Sequence, residues 1–343
     1  MRTFTVEQRR ARLAKRHHLD RGADPPESVD AVTRNLVAVH ATDPATPYLS
    51  LWARLLGFTV PHLNAALYDD HGLVKHLAMR RTLWMVSSRD LPAIQSVASD
   101  RVAANEARRL AADAERAGVA SDGHAWLETA DGAVRRHLRG AGPCSARELR
   151  ETLPELAGTY DPARDWLARA EAVDPDDARA ALVRRWLSAF GPATVTDIKW
   201  WFGATLSWAR KALSDIDAVE VQLDGSSGFV LPGDDDEPEA KPWCALLPAL
   251  DVTAMGWFDR DWYVGPHRSA VFDRNGNAGP TAWVDGRVVG AWRQDGEGRV
   301  ELVLLEKVGR AAADELARRA DELTAWLGGV RVSPGFPSAA IRP

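Results

Sequence analysis

ARAALVRRWLSAFGPATVTDIKWWFGATLSWARKALSDIDAVEVQLDGSSGFVL, residues 178–231, is the stretch from which the fold is read. It opens with an amphipathic helix over Ala178–Phe190, stopped by Gly191-Pro192. A short helix, Thr194–Phe202, ends at Gly203, and a third, Thr205–Leu213, carries Arg210 and Lys211. Val219–Leu223 and Phe229–Leu231 then alternate as strands around Asp224-Gly225-Ser226-Ser227-Gly228, a strong hairpin turn. Three helices followed by a two-stranded wing is the element order of a winged helix.

The same order stands nearer the N-terminus. Val6–Leu19 is helical and arginine-rich. A helix after Pro25-Pro26-Glu27-Ser28 carries Val29, Val32, Leu36 and Val39 on one stripe and stops at Thr42-Asp43-Pro44. Thr46-Pro47 opens a helix over Tyr48–Leu56, and Thr59 caps another over His62–Tyr68. Leu73–Met79 and Thr82–Val86 follow as two strands with Arg80-Arg81 at the bend. Two copies of one element order support each other better than either stands alone.

Between the copies, residues 90–140 read as long helices rich in alanine and arginine, and Ser145 with Glu148 forms a capping box. No hairpin follows, because a new helix begins near Asp174, so a middle winged helix is truncated. After an acidic, proline-bearing linker, Pro232–Pro242, the pattern turns to β: Trp243–Leu247, Trp262–Val264, Ser269–Phe272, Ala282–Val284, Val288–Trp292 and Val300–Leu305. Asn275-Gly276, Asp285-Gly286 and Asp295-Gly296 supply the turns. Many short strands with such turns read as a small antiparallel sheet or barrel, closed by a helix, Val308–Leu327, and a strand, Val330–Val332. The expected architecture is α+β: a winged-helix unit over 1–90, a helical region with an incomplete second unit over 91–173, a third unit over 174–232, and a β-barrel-like domain over 243–343.

Composition narrows the function classes. Of 343 residues, 45% are hydrophobic and 27% charged, which is ordinary for a globular chain. Two cysteines cannot make a disulfide framework or a cysteine-rich zinc site. No apolar run approaches a membrane span, and the N-terminus has no signal-peptide core, so a cytoplasmic, nucleoid-associated protein is expected. Net charge is −5, but residues 1–150 carry +5 and residues 151–343 carry −10, which leaves room for a polyanion on one side. HExxH, GxGxxG, a Walker loop and a nucleophile elbow are all missing, so neither a metal nor another cofactor is expected. Fourteen tryptophans suggest base stacking, but Trp200, Trp201, Trp283 and Trp292 lie in periodic segments, where core packing is the simpler reading.

The chain resembles a known family, the bacterial winged-helix DNA glycosylases of AlkZ and YcaQ type. The resemblance rests on Leu36–Pro44 (LVAVHATDP) with Leu49–Arg54, on Phe190-Gly191-Pro192 with Asp197 and Trp200-Trp201, on Leu246–Asp251 (LLPALD), and on Asp285–Trp292 (DGRVVGAW). It implies tandem winged helices with a C-terminal β-barrel, binding to duplex DNA, and release of bulky N-alkylated purines or crosslinks. Active members carry glutamine or histidine, an apolar residue, then glutamine or aspartate. The matching triplet here is His40-Ala41-Thr42, with Thr42 in the second polar position and Asp43 one step later. The resemblance also marks the later helix and wing of the middle unit as missing around Leu156–Arg164.

The chemistry asks little of the protein. An N-alkylated purine is already a cationic leaving group, so the site need only place water and stabilise an oxocarbenium-like sugar. The expected catalytic residues are His40, Thr42 and Asp43, with Asp43 as water activator or cation stabiliser and His40 orienting water or a sugar phosphate. A helix reaching His40 would put it on the face of Leu36, and its end would project His40 and Asp43 into one cleft. The plainer readings are a core histidine and a turn aspartate. Phosphates would be met by Arg9, Arg12, Lys15 and Arg16 on the first helix, by Arg80 and Arg81 at the wing tip, and by Arg210 and Lys211. A solvated helix face is the alternative for the first group.

The leading expectation is therefore a monomeric protein acting on damaged double-stranded DNA as a monofunctional glycosylase, a repair hydrolase of base excision. The rivals are a non-catalytic DNA-binding or adduct-sequestering protein, a transcription regulator, or an interaction protein with decayed DNA binding.

Overall fold

The computed structural model describes residues 1–20, 26–142, 144–156, 172–234 and 241–341. Helix α1, Val6–Arg16, starts at a capping box in which Gln8 N–H donates to Thr5 Oγ1 and Thr5 N–H to Gln8 Oε1. It ends at His17, short of the expected Leu19. Helix α2, Val29–Asn35, is capped by Ser28. It stops four residues before Val39, because Val37 turns to φ +67°, and Val39–His40 become strand β1 instead. This corrects the expectation that His40 ends a helix. A short apolar run fits a buried strand as well as a helix, and here tertiary pairing decides.

Helix α3, Thr46–Arg54, and helix α4, Val60–Asn64, which runs on as a π turn over Ala65–Asp69, lead to the hairpin of β2, Leu73–Leu77, and β3, Leu83–Ser87. The bend between them is a 3₁₀ turn, Met79–Arg81. The three strands form an antiparallel sheet in the order β1-β3-β2, so His40, Trp84 and His76 stand abreast in one row. The middle region holds α5, Leu91–Ile94, the long α6, Asp100–Arg116, and α7, Gly123–Ala141, then α8, Ala146–Thr152, with the expected Ser145–Glu148 capping box. Apart from Leu156, in a 3₁₀ turn, the stretch Leu156–Arg164 lies outside the described residues, as do Pro25 and most of the linker.

Next come α9, Pro175–Phe190, α10, Val195–Phe202, and α11, Leu206–Asp215. The hairpin of β4, Val219–Leu223, and β5, Ser226–Val230, follows, tighter than expected because Asp224-Gly225 alone make the turn. The N-terminus adds to its edge: Phe4 N–H donates to Gln222 O, and Phe4 packs with Val221, Leu223 and Val230. The C-terminal part contains β6, Cys244–Leu247, two short helices, α12, Asp261–Val264, and α13, Arg268–Val271, then β7, Thr281–Val284, β8, Arg287–Gln294, β9, Val300–Leu304, and α14, Arg310–Leu327.

These strands make an open antiparallel sheet in the order β6-β7-β8-β9, with α14 packed against β6 and β9. Two of the expected strands, around Trp262 and Ser269, are helical turns. A third, Val330–Val332, is irregular, with Val332 N–H donating to the Gln294 side chain rather than to a ladder. With those strands gone, no closed barrel forms among the described residues. Trp201, Trp283 and Trp292 are fully buried as expected, whereas Trp200 is only half-buried.

One buried core runs from Leu13 to Leu327 and is shared by the first, third and C-terminal units, while the middle region packs a small cluster of its own, Ala130, Val134, Leu149 and Leu156. At its centre is a polar network. Arg54 and Asp251 are both 0% exposed, joined at 2.8 Å through each pair of facing atoms. The five guanidinium hydrogens go to His17 O, Ser50 O, both Asp251 oxygens and Thr253 Oγ1. Asp251 also accepts from Ser50 Oγ and Thr253 N. Burial alone would raise the Asp251 pKa, but the Arg54 charge and these bonds hold it below the usual carboxylate range. His17 Nε2 faces Ala189 O, which can only accept, so Nδ1 accepts from Thr253 Oγ1.

Removing one partner of such a pair leaves a bare charge in the core. Asp251→Asn is expected to cost about 3–5 kcal/mol in urea unfolding. A loss under about 1 kcal/mol would mean that water reaches the pair.

Candidate functional site

Strand β1 sets the geometry of the expected triplet. His40 lies opposite Trp84, 3% exposed, with its ring 4.5 Å from the indole. Thr42 N–H points at its Nδ1 from 3.5 Å. Burial, with the Arg80 charge adding, pushes the His40 pKa down to about 3. The imidazole is therefore neutral at pH 7, and is a hydrogen-bonding group rather than a strong base. Thr42 is exposed and closes the strand end, its hydroxyl accepting from Leu83 N–H at 3.2 Å.

Asp43 is 4% exposed and holds two backbone groups: Ala45 N–H at 3.0 Å and Gly335 N–H at 2.7 Å. It shapes the turn into α3 and ties the chain after α14 to it. The void beside it, lined by Thr46, Leu49, Pro248 and Trp292, measures about 10 Å³, one water's worth of space. The expected cleft receiving both His40 and Asp43 is thus corrected: both side chains are packed inside, and Thr42 alone of the three faces solvent.

The basic residues divide in two. Arg9, Arg12 and Arg16 fall on the inward face of α1 and act as internal ties, which corrects their reading as phosphate contacts. Arg9 packs its guanidinium 4.1 Å from the Trp262 ring. Arg12, 1% exposed, pairs with Asp234 at 3.1 Å. Arg16 pairs with the same carboxylate and donates to Ser188 O and Gly191 O. Lys15 faces outward. Arg210 and Lys211 are exposed, with Lys211 held by Asp215 at 2.5 Å. Arg81 is half-exposed and pairs with Glu106 at 2.8 Å. Arg80 is drawn inward onto the Trp200 ring, 4.0 Å away, beside Arg260, which lies 4.8 Å from the same ring.

Sequence reasoning did not single out Arg260, which sits in no recognisable motif. It also missed the Arg54–Asp251 network, although Asp251 closes the LLPALD run. A groove of about 430 Å³ between α1 and the C-terminal sheet alternates Glu7, Arg10, Arg287, Glu306 and Lys307, so it presents no single-sign field to a polyanion. Among the described residues, no His/Cys/Asp/Glu group is arranged to hold a metal, and no helix is long and apolar enough to cross a membrane.

Comparison with known proteins gives the class of this mixed α+β chain. The family model described as "DNA glycosylase AlkZ-like" matches residues 33–159 and 156–326, and this chain belongs to that family. Among solved structures, the DNA glycosylase AlkZ of Streptomyces sahachiroi superposes with a TM-score of 0.70 over 97% of this chain and 99% of that one, at 22% identity. Among curated proteins, an interstrand DNA cross-link repair glycosylase of the same organism is 29% identical over 167 residues. That match spans 44% of this chain and 42% of the relative.

The neutral histidines give a pH signature. His17 and His40 are both held at about 3, the first by burial and then by the Arg54 charge, against about 6.5 when unfolded. The unfolded chain therefore binds protons that the native state refuses. Stability is unaffected by these groups above about pH 6.5 and falls below it, by up to about 1.4 kcal/mol per pH unit for each histidine. His40→Gln is expected to flatten the fall in urea midpoint between about pH 6.5 and 4.5 relative to the native chain. An unchanged slope would place His40 in solvent.

Proposed function

We propose that this protein binds duplex DNA, with its two helix–hairpin units read as winged helices, and hydrolyses the N-glycosidic bond of a bulky N-alkylpurine or crosslinked purine. The observation that carries the reading is the family match, which reaches across both halves of the chain. In the reaction, the bond between C1′ and N9 of the alkylated purine breaks with its electron pair going to the cationic ring, neutralising it. Water supplies the new bond to C1′ and gives up one proton to solvent. Thr42, the exposed member of the triplet, positions that water through its hydroxyl. His40 sits neutral behind it and orders the strand end. The Asp43 carboxylate, nearly sealed from solvent, supplies a negative field toward the developing oxocarbenium ion rather than touching the water itself.

The second reading is a protein that binds the adduct without turning it over, and the burial of both His40 and Asp43 favours it. Single-turnover incubation with a duplex carrying one N7-alkylguanine separates the two. Abasic product forming well above spontaneous depurination is expected, with Thr42→Val slowing it on the order of 10²-fold at an unchanged melting temperature. Tight binding with no excess abasic product would select the second reading.

A further inference from the structure

Among the described residues, Arg80 is a cation without a counter-ion. Its Nε and Nη2 are sealed from solvent and have no hydrogen-bond partner among the described residues. The residue as a whole stays half-buried, and Nη1 is not among the sealed atoms. Glu106 is paired with the neighbouring Arg81. The charge that Arg80 meets is a like one, Arg260, which spends its own Nε on Trp257 O and its Nη1 on Gly276 O. Burial and that repulsion push the Arg80 pKa down to about 9, so it remains protonated at neutral pH.

Arg80 and Arg81 are consecutive left-handed residues, φ +55° and +59°, where glycine or asparagine would sit with less strain. Gly203, at the end of α10, closes on the hairpin tip, and a Cβ there would come within 3.2 Å of Arg80 N. A third arginine, Arg101, donates to Gly203 O at 2.5 Å. Three guanidinium groups from three separate parts of the chain thus gather around Trp200 and Gly203. A buried polar group with unspent donors calls for an explanation, and a guanidinium fork matches a phosphate oxyanion in shape and charge.

We infer that Arg80, with Arg260 beside it on the Trp200 ring, is the seat of one phosphate-type oxyanion, and that a DNA backbone phosphate next to the lesion fills it. The oxyanion seat stands on the geometry alone, while its assignment to DNA rests on the function proposed above. Seated there, the phosphate neutralises the hairpin tip and fixes the register of the duplex relative to β1, which ends three residues before Asp43. Arg80 is a positioning residue; it is given no part in the bond-breaking step.

The test uses the native chain, Arg80→Met and Arg80→Lys, with exposed Arg310→Met on α14 as control. Melting is followed in inorganic phosphate against chloride at matched ionic strength. Binding to an undamaged duplex is followed across a salt series. The native chain and Arg310→Met are expected to melt higher in phosphate. Arg80→Met is expected to lose that response and to melt no lower than the native chain in chloride, because it removes an uncompensated charge. Its affinity for duplex is expected to fall about tenfold, with a salt slope shallower by about one. Arg80→Lys should recover part of the phosphate response without the full affinity, since it keeps the charge and loses the fork.

An Arg80→Met chain that melts lower in chloride while keeping the phosphate response overturns the seat. A phosphate response abolished by Arg80→Met with duplex affinity unchanged overturns the assignment to DNA. If the native chain binds no duplex yet responds to phosphate through Arg80, the proposed function fails and the oxyanion seat survives.

Discussion

The rest of the structure depends on the ion pair between Arg54 and Asp251. It lies at 0% exposure where α1, α3, the loop after β6 and the end of α9 meet. Every guanidinium hydrogen and both carboxylate oxygens are spoken for, so the usual objection to buried charge, desolvation without full compensation, is met by hydrogen bonds. The network also sets the site. By fixing Asp251 it fixes the Pro248–Asp251 loop, and Ala249 O in that loop accepts from Thr46 Oγ1 at the start of α3. Asp43, three residues earlier, holds that turn from the other side. The triplet His40-Ala41-Thr42 is thereby stretched between a fixed sheet and a fixed helix start.

Much of this was legible in the sequence, for identifiable reasons. The capping box at Ser145–Glu148, the helix opening at Thr194 and the turn at Asp285-Gly286 encode local geometry, and the elements they delimit stand where expected. The failures share one cause. Val39-His40 reads as the end of a helical stripe, and Trp262–Val264 reads as a strand, because both are short apolar runs whose state is set by distant partners. For Val39 and His40 those partners are Met85 and Trp84, some forty-five residues on. An open sheet covered by α14 and a closed barrel carry nearly the same turn signals, so strand count alone could not separate them.

The candidate site shows the same division. The triplet was found through its resemblance to a family pattern, but which of its members faces solvent is a matter of strand phase. Placing His40 on β1 turns its ring onto Trp84 and leaves Thr42 outside. The basic stripe of α1 was misread because Arg9, Arg12 and Arg16 recur at the spacing of an inward face. Their partners, Trp262 and Asp234, lie more than two hundred residues away. The stack of Arg80 and Arg260 on Trp200 could not be read at all, since it joins three segments that no local pattern connects.

What emerges is a rigid frame of shared core that exposes one polar residue at the end of a buried strand, close to a hairpin tip with an unneutralised cation. The most direct test of this account is a structure of the chain on a duplex carrying a hydrolysis-resistant N7-alkylguanine nucleotide. The account predicts the lesion's C1′ within water-bridging reach of the Thr42 hydroxyl and a neighbouring phosphate against Arg80. A duplex lying across another face, such as α6 and α7 or the groove under Arg287, with Thr42 left in open solvent, would contradict it.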